Sequence, residues 1–390
     1  MRIGIDIRSL SANRQTGVDE YICNLLPSLF REGENDQFHL LYNSFLGNIP
    51  EKIEFWKKFN NVEIYEYHWP SKLLNLSLWQ LGYPKLDKLI NKIDVFFLPN
   101  VTFSAFSKNI PRVVTFHDLS FEHFPEFFSP YGRLWHWLVN PRKQAKEASK
   151  IITVSRTTAE DIHSKYRIKR KNIVTIPLGL SPVFQKENKN KLEGIRKKYN
   201  LPQTPAILFL GTLEPRKNIS SLILAFNEFK KRTGSPHCLI LAGQPGWSFK
   251  KSLDFIKKSE FKDDIILPGI IDNEDRPSIY QMAEIFVFPS YLEGFGLPPL
   301  EAMASKTPVI CSASSSLLEV FGRHALLINP HDIGELSWTI ERVVGDKALQ
   351  KSLILDGEKY AKKFSWEWAA RRTLKVLHKT GRVSNKPKAS

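Results

Sequence analysis

Cysteine is scarce in this chain: Cys23, Cys238 and Cys311 are all the thiols in 390 residues. An odd, scattered set of this kind excludes a disulfide scaffold or a zinc site and fits a reducing compartment, the cytoplasm. Long apolar runs are missing too, and no uncharged stretch approaches the length of a membrane span. The opening "MRIGIDIRSL" sets Arg2, Asp6 and Arg8 among apolar residues, which reads as a strand and not as a signal peptide. There is no Asp-x-Asp pair of the kind that holds a divalent metal against a phosphorylated substrate. Zinc-finger spacing and RNP-like aromatic patterns are absent, so no specific nucleic acid is expected.

Acidic residues are in deficit, 40 against 56 Lys and Arg, for a formal charge of +16. That excess asks for an anionic partner: nucleic acid, a membrane surface or a phosphorylated substrate. Residues 371 to 390 hold seven Lys and Arg and no acid. A frayed, solvated tail is the plain reading of that stretch, and an anionic lipid surface is the functional one.

What is present is an ordinary globular composition, 42% hydrophobic and 25% charged, in a chain long enough for two or three domains. Short β-rich runs recur: "RIGIDI", "FHLLY", "VEIYEY", "DVFFLP", "RVVTFHD", "KIITVS" and "IVTIPLG", then "AILFLGT", "CLILAG", "IILPG", "IFVFPS", "PVICSA" and "ALLINP". Amphipathic stretches of helical length lie between most of them, so the pattern predicts doubly wound parallel sheets. Thirteen strands are too many for one such sheet. The charged stretch at 181–204, closed by Pro202 and Pro205, reads as a connection between two Rossmann-like α/β domains at 1–180 and 205–364. Residues 365–390 read as a C-terminal helix, with Trp366, Ala369, Ala370 and Leu374 near one face, followed by the basic tail.

Ligands of doubly wound sheets sit at the carboxyl ends of strands. After "AILFLGT" comes "LEPRKN", where Arg216 and Lys217 suit a diphosphate through charge-assisted bonds. Alone, such a pair is more often a solvated basic turn. About eighty residues later stands "LEGFGLPPLE", with Glu293 and Glu301 eight positions apart. Pro298 and Pro299 forbid a helix interior and suit a first turn. The spacing therefore predicts a loop over Gly294–Leu297 and a helix beginning near Pro299, with Glu301 in its first turn. The amides of Gly296 and Leu297 would then form an anion cradle. Two anion-binding devices at strand ends of one domain favour the functional reading of both.

These two motifs, with "HDLSFEHFPEFFSP", "ITVSRTTAEDI" and "IPLGLSPVF", resemble the retaining glycosyltransferases of family 4, over almost the whole chain. The resemblance implies the GT-B fold, two Rossmann-like domains facing across a cleft, and a metal-independent hexosyl transfer without a cofactor. It implies ribose binding by Glu301, a place near the donor sugar for Glu293, and diphosphate binding by Arg216 and Lys217. Gly294, Phe295, Gly296 and Leu297 then belong to the donor site, the last two through their amides. His117, in "RVVTFHDL", matches a histidine that contacts the donor sugar, although a lone histidine is more often structural. Gly17, in "RQTGVDEY" (Arg14 to Tyr21), takes the place of the family's glycine-rich loop at a helix start. This loop has one glycine where the family has two adjacent ones, and Asp19 and Glu20 are expected to face away or to meet the acceptor.

The donor implied is a nucleotide diphosphate sugar, GDP-mannose first and UDP-sugars second, because "HDLSFEHFPEFFSP" is similar to bacterial mannosyltransferase-like members. The acceptor is a saccharide or lipid-linked saccharide of a surface polysaccharide. A GT-B sugar-nucleotide epimerase is the alternative within enzymes, and a basic nucleic-acid- or membrane-binding protein the alternative outside them. Trp135, Trp137 and Leu138, beside Arg133, Arg142, Lys143 and Lys146, have the make-up of a membrane-interface helix, but a partly buried helix is the preferred reading.

Overall fold

A computed structural model of the chain describes residues 1–10, 16–47, 49–90, 92–185 and 192–384. Arg14, and Lys386 and Lys388 of the basic tail, lie outside the described residues.

All thirteen apolar runs form strands, and every strand pairing is parallel. The first sheet holds β1 (Arg2–Asp6), β2 (Gln37–Asn43), β3 (Val62–Tyr67), β4 (Val95–Leu98), β5 (Arg112–Phe116), β6 (Lys150–Thr153) and β7 (Ile173–Thr175). Its order is β3-β2-β1-β4-β5-β6-β7. The second holds β8 (Ala206–Leu210), β9 (Cys238–Ala242), β10 (Ile265–Gly269), β11 (Ile285–Phe288), β12 (Val309–Ser312) and β13 (Leu326–Ile328), in the order β10-β9-β8-β11-β12-β13. Both sheets start near the middle, build to one edge and then resume on the other side of the first strand. The order thus reverses between β1 and β4, and between β8 and β11, and the loops that leave such neighbours diverge and open a crevice. Helices on both faces explain why central strands such as β4, β8 and β11 are buried throughout.

The chain divides into two compact units. One contains 1–123, 130–179 and 365–390, and the other contains 124–129 and 180–364. Two features differ from the expected linear division. Six residues of the first half, Phe124–Ser129, belong to the second unit, where Phe127 stacks on Tyr291 at 5.3 Å between ring centroids. The C-terminal helix, Trp366–Ser384, is part of the first unit, packed on the helix Gly17–Glu32 and on β4, β5 and β6. The face expected for it is the buried one: Trp366, Ala369, Ala370 and Leu374 are all in the core. Gly179 admits it, because a Cβ there would come within 2.3 Å of the Trp366 nitrogen. The basic stretch is accordingly no frayed tail as far as Ser384. Arg371 pairs with Glu32 at 3.0 Å, and His378 reaches Asp36 at 2.7 Å.

The first sheet has two distinct sides. Thr115 faces the helix Gly17–Glu32, its hydroxyl 3.2 Å from that of Tyr21. Its neighbour Phe116 points the other way, into a core cluster with Leu74, Leu78, Phe96, Phe103 and Val139. Among the described residues no helix is long and apolar enough to cross a membrane.

Candidate active site

The site in the second unit grows from the β8–β11 neighbourhood. β8 ends at Leu210, just before Gly211, and the chain then turns through a short 3-10 helix, Pro215–Lys217, into the helix Ile219–Thr233. Asn218 makes that turn in the left-handed region, φ 58°. Its side-chain amide donates to the carbonyls of Pro289 and Pro330, at 3.2 and 2.7 Å, which offsets the backbone cost and ties the turn to the ends of two other strands.

Arg216 and Lys217 converge on Glu293. Lys217 Nζ donates to Glu293 Oε1 at 2.6 Å, and Arg216 Nη1 donates to Oε2 at 3.1 Å and to the Leu292 carbonyl at 2.9 Å. The other edge of the guanidinium meets Glu214 Oε1 at 2.9 Å. Burial alone would push the Glu293 carboxyl up, but the charges of Arg216 and Lys217 overcome it and hold the group below the usual range. Ser315 Oγ accepts from the Glu293 amide at 3.0 Å, and Ser316 Oγ donates to its carbonyl at 2.7 Å, which fixes the backbone. Two cations and two carboxylates therefore face each other with no net charge.

The second motif differs from expectation in one respect. The helix spans Leu297–Ala304, so it begins two residues before Pro299, and Glu301 lies past the first turn. Prolines fit the first turn without needing to start it, because their missing N–H has no intrahelical acceptor in any case. Pro298 and Pro299 donate nothing, which leaves the amides of Gly296 and Leu297 as the donors this helix end presents. Gly296 is required twice over. Its φ is 101°, and a Cβ would approach Leu317 Cδ2 to 2.7 Å and Phe321 Cε2 to 2.9 Å. Phe295 is buried and Gly294 precedes it in the same loop.

Glu301 is in the core, 1% exposed, and not at a rim. Its Oε2 accepts from Arg276 Nη2 and, at 2.8 Å, from the Tyr280 hydroxyl. Burial, reinforced by Glu301, raises the Tyr280 phenol well above its ordinary range, so it remains a donor. Arg276, Tyr280, Ser315 and Ser316 escaped the sequence reading. Arg276 and Tyr280 stand four apart in "DRPSIYQ", one helical turn, so they share a face. That spacing was the available signal.

In the first unit His117 follows β5, half-buried. Its Nε2 lies 3.0 Å from the Pro99 carbonyl, which can only accept, so Nε2 carries the proton. Burial lowers the imidazole below its ordinary range, and it is neutral with Nδ1 as acceptor. Tyr21 packs edge-on against it at 4.8 Å. Gly17 begins its helix after the N-cap Thr16, and a Cβ there would meet nothing within 4 Å. Asp19 acts locally, since its Oδ2 accepts from the Thr16 amide and hydroxyl, both at 3.0 Å, and so completes a capping box.

Two family models match the chain, Glycosyltransferase Family 4 over residues 16–183 and Glycosyl transferases group 1 over 192–360. The O-antigen chain mannosyltransferase B of Escherichia coli is 33% identical over 370 residues, 92% of this chain and 95% of that protein. The chain belongs to the family 4 glycosyltransferases. Solved structures agree on the fold of this glycosyltransferase. Anabaena Alr3699/HepE, in complex with UDP and glucose, superposes with a TM-score of 0.70 at 16% identity, covering 96% of this chain and 99% of that one. A Rickettsia africae glycosyltransferase gives 0.73 at 17%, with 99% of each chain covered. The GT-B architecture expected for this family 4 member is the one observed.

Proposed function

We propose that this glycosyltransferase moves a mannosyl unit, with retention of anomeric configuration and without a metal, from GDP-mannose to a saccharide or lipid-linked saccharide of a surface polysaccharide, on the cytoplasmic side. A UDP-sugar is the second donor. The relative from Escherichia coli supports mannose and O-antigen by its name, and the UDP complex of the Anabaena neighbour keeps uridine in the comparison. The observation that carries the reading is the convergence of Arg216, Lys217 and Glu293 beside the helix start at Gly296 and Leu297, at the β8–β11 reversal.

In this reading the diphosphate lies on the Gly296 and Leu297 amides and draws Arg216 and Lys217 away from their carboxylates. The bond from the anomeric carbon to the phosphate oxygen breaks with its electron pair leaving on the diphosphate. Both cations then stabilise charge that grows in the transition state. The acceptor hydroxyl bonds to the anomeric carbon from the face that the diphosphate leaves, and its proton passes to the departing phosphate oxygen. Glu301, oriented by Arg276 and Tyr280, takes the ribose hydroxyls. Glu293 lies near the donor sugar, and His117, with Nδ1 open as an acceptor, contacts that sugar.

A thermal-shift series with GDP-, UDP- and ADP-sugars tests the reading, because stabilisation follows affinity for the folded state. GDP-mannose is expected to give the largest shift. No shift with any nucleotide sugar would overturn the donor assignment. Proton NMR of the product's anomeric centre tests retention.

A further inference from the structure

The helix Trp366–Ser384 closes one side of the first sheet, where it packs on the helix Gly17–Glu32. Ala369, Ala370, Thr373, Leu374, Leu377 and Thr380 are buried there. What the helix leaves to solvent is a narrow row. Trp368, Arg372, Lys375, Lys379 and Arg382 are exposed, spaced four, three, four and three residues apart. Such spacing averages about 3.5 residues and keeps the row on one line of the helix surface for about 21 Å. Trp368 ends the row, with the Arg372 guanidinium 5.5 Å from its ring centroid. The exposed Trp137 is elsewhere, because its helix, Pro130–Val139, sends Val139 into the core on the other side of the sheet.

The row borders a groove. Lys375, His378, Lys379 and Arg382, with Glu32 and Leu374, line a concavity of about 840 Å³. A second concavity of about 490 Å³ shares Glu32, His378 and Arg382 with it and adds Asp36 and Asp94. The acids in these grooves are already engaged. Glu32 meets Arg371 at 3.0 Å, Asp36 accepts from the Met1 amine at 2.9 Å and lies 2.7 Å from His378 Nε2, and Asp94 accepts from the Arg2 amide at 2.7 Å. Among the described residues, none of Arg372, Lys375, Lys379 and Arg382 pairs with a carboxylate. Lys379 instead joins a crowd of like charge. Lys150, at the start of β6, donates to the Lys171 carbonyl at 2.6 Å. Burial first, and then the charges of Lys379 and Lys171, hold its amine below the ordinary range. An anion seated on this row would relieve repulsion as well as add attraction.

The geometry points to a docking surface for an acidic α-helix of a partner protein, with Glu or Asp side chains at the same three- and four-residue spacing. A groove beside a straight row admits a rod, whereas a flat layer of headgroups reaches only its rim. A second copy of this chain brings the same excess of +16, and residues 385–390 add two lysines and no acid. Neither has the sign the row requires. Charge complementarity of this kind sets register and speeds encounter, and an apolar side chain on the partner would meet Trp368 at one end.

The test uses two fluorescein-labelled, alanine-rich helical peptides with equal numbers of glutamates. One carries them at alternating three- and four-residue spacing, and the other spreads them over all faces. Anisotropy with the full chain at low salt should show the first bound roughly tenfold more tightly, with the difference shrinking at high salt. Lys375→Glu with Lys379→Glu should weaken it roughly tenfold. Lys143→Glu with Lys146→Glu, the same change of charge on the helix Pro141–Glu147, should leave it within about twofold. An unchanged Tm checks that both variants fold. Zero-length carbodiimide coupling on the wild-type chain needs no variant, and should join peptide glutamates to Lys375 and Lys379. Equal affinity for the two peptides, coupling only at other lysines, or equal loss through both pairs of substitutions would overturn the proposal. So would protection of Lys375 and Lys379 by phosphatidylglycerol vesicles or duplex RNA where the striped peptide gives none, since the occupant would then be a lipid or a nucleic acid.

Discussion

Lys217 Nζ lies 2.6 Å from Glu293 Oε1 across 76 residues of sequence, a gap closed by the pairing of β8 with β11. Arg216 holds the other oxygen of the same carboxylate at 3.1 Å. In this arrangement Glu293 is neither a base nor a nucleophile. It holds two cations in place, the ones that the proposed mechanism hands to the diphosphate.

The pair makes a pH signature. The folded-state value of Glu293 is depressed, so its contribution to stability is complete above the ordinary carboxyl value of 4.5 and is lost as pH falls through the lower folded value. Glu293→Gln leaves the Lys217 and Arg216 charges without their partner and should cost about 3–5 kcal/mol near neutral pH. The difference in Tm between the two proteins should narrow as pH drops below that range. A constant gap across an acid titration would show that the carboxylate charge contributes nothing.

Replacing Arg216 or Lys217 by alanine should lower kcat about a hundred- to a thousandfold, with a smaller change in KM, because leaving-group charge develops only as the bond breaks. Arg216→Lys should recover little, since one ammonium cannot span Glu214, Glu293 and the Leu292 carbonyl together. A normal kcat with only KM raised would reduce both residues to donor holders. Activity should survive EDTA, and abolition with rescue by manganese would move the leaving-group charge onto a metal.

Glu301 needs a gentler substitution than alanine. Removing the carboxylate strands Arg276 in the core, at about 3–5 kcal/mol, and confuses folding with binding. Glu301→Gln keeps an acceptor for Arg276 and Tyr280. It should fold and bind donor more weakly by roughly 1.5–3 kcal/mol, the worth of charge-assisted bonds to hydroxyls. Calorimetry showing unchanged affinity in the folded variant would remove the ribose assignment and leave Glu301 a structural anchor.

Gly296→Ala meets both a left-handed φ and the side chains of Leu317 and Phe321. A loss of about 1–3 kcal/mol in urea unfolding is expected, together with impaired donor binding as the amides of the helix start shift. Gly17→Ala is the contrast. Nothing stands within 4 Å of its Cβ, so stability should hold, and any fall in activity there would report a ligand.

The sequence by itself determined the thirteen strands, their division into two doubly wound sheets and the loop that leads into Leu297, because apolar period, proline and glycine act over a few residues. It also marked Arg216, Lys217, Glu293 and Glu301, since chemistry-bearing side chains at strand ends are visible without coordinates. Only the tertiary structure decided their partners. Glu301 faces Arg276 and Tyr280 in the core and not solvent at a helix tip, because the helix Leu297–Ala304 packs on the helix Arg276–Met282 that carries both. The capping role of Asp19 was readable from Thr16 three residues before it, whereas the transfer of Phe124–Ser129 to the second unit was not. The basic C-terminal helix and the Trp137 surface look alike as composition. The sheet sets them on opposite faces, because successive residues of one strand, Thr115 and Phe116, must point to opposite sides.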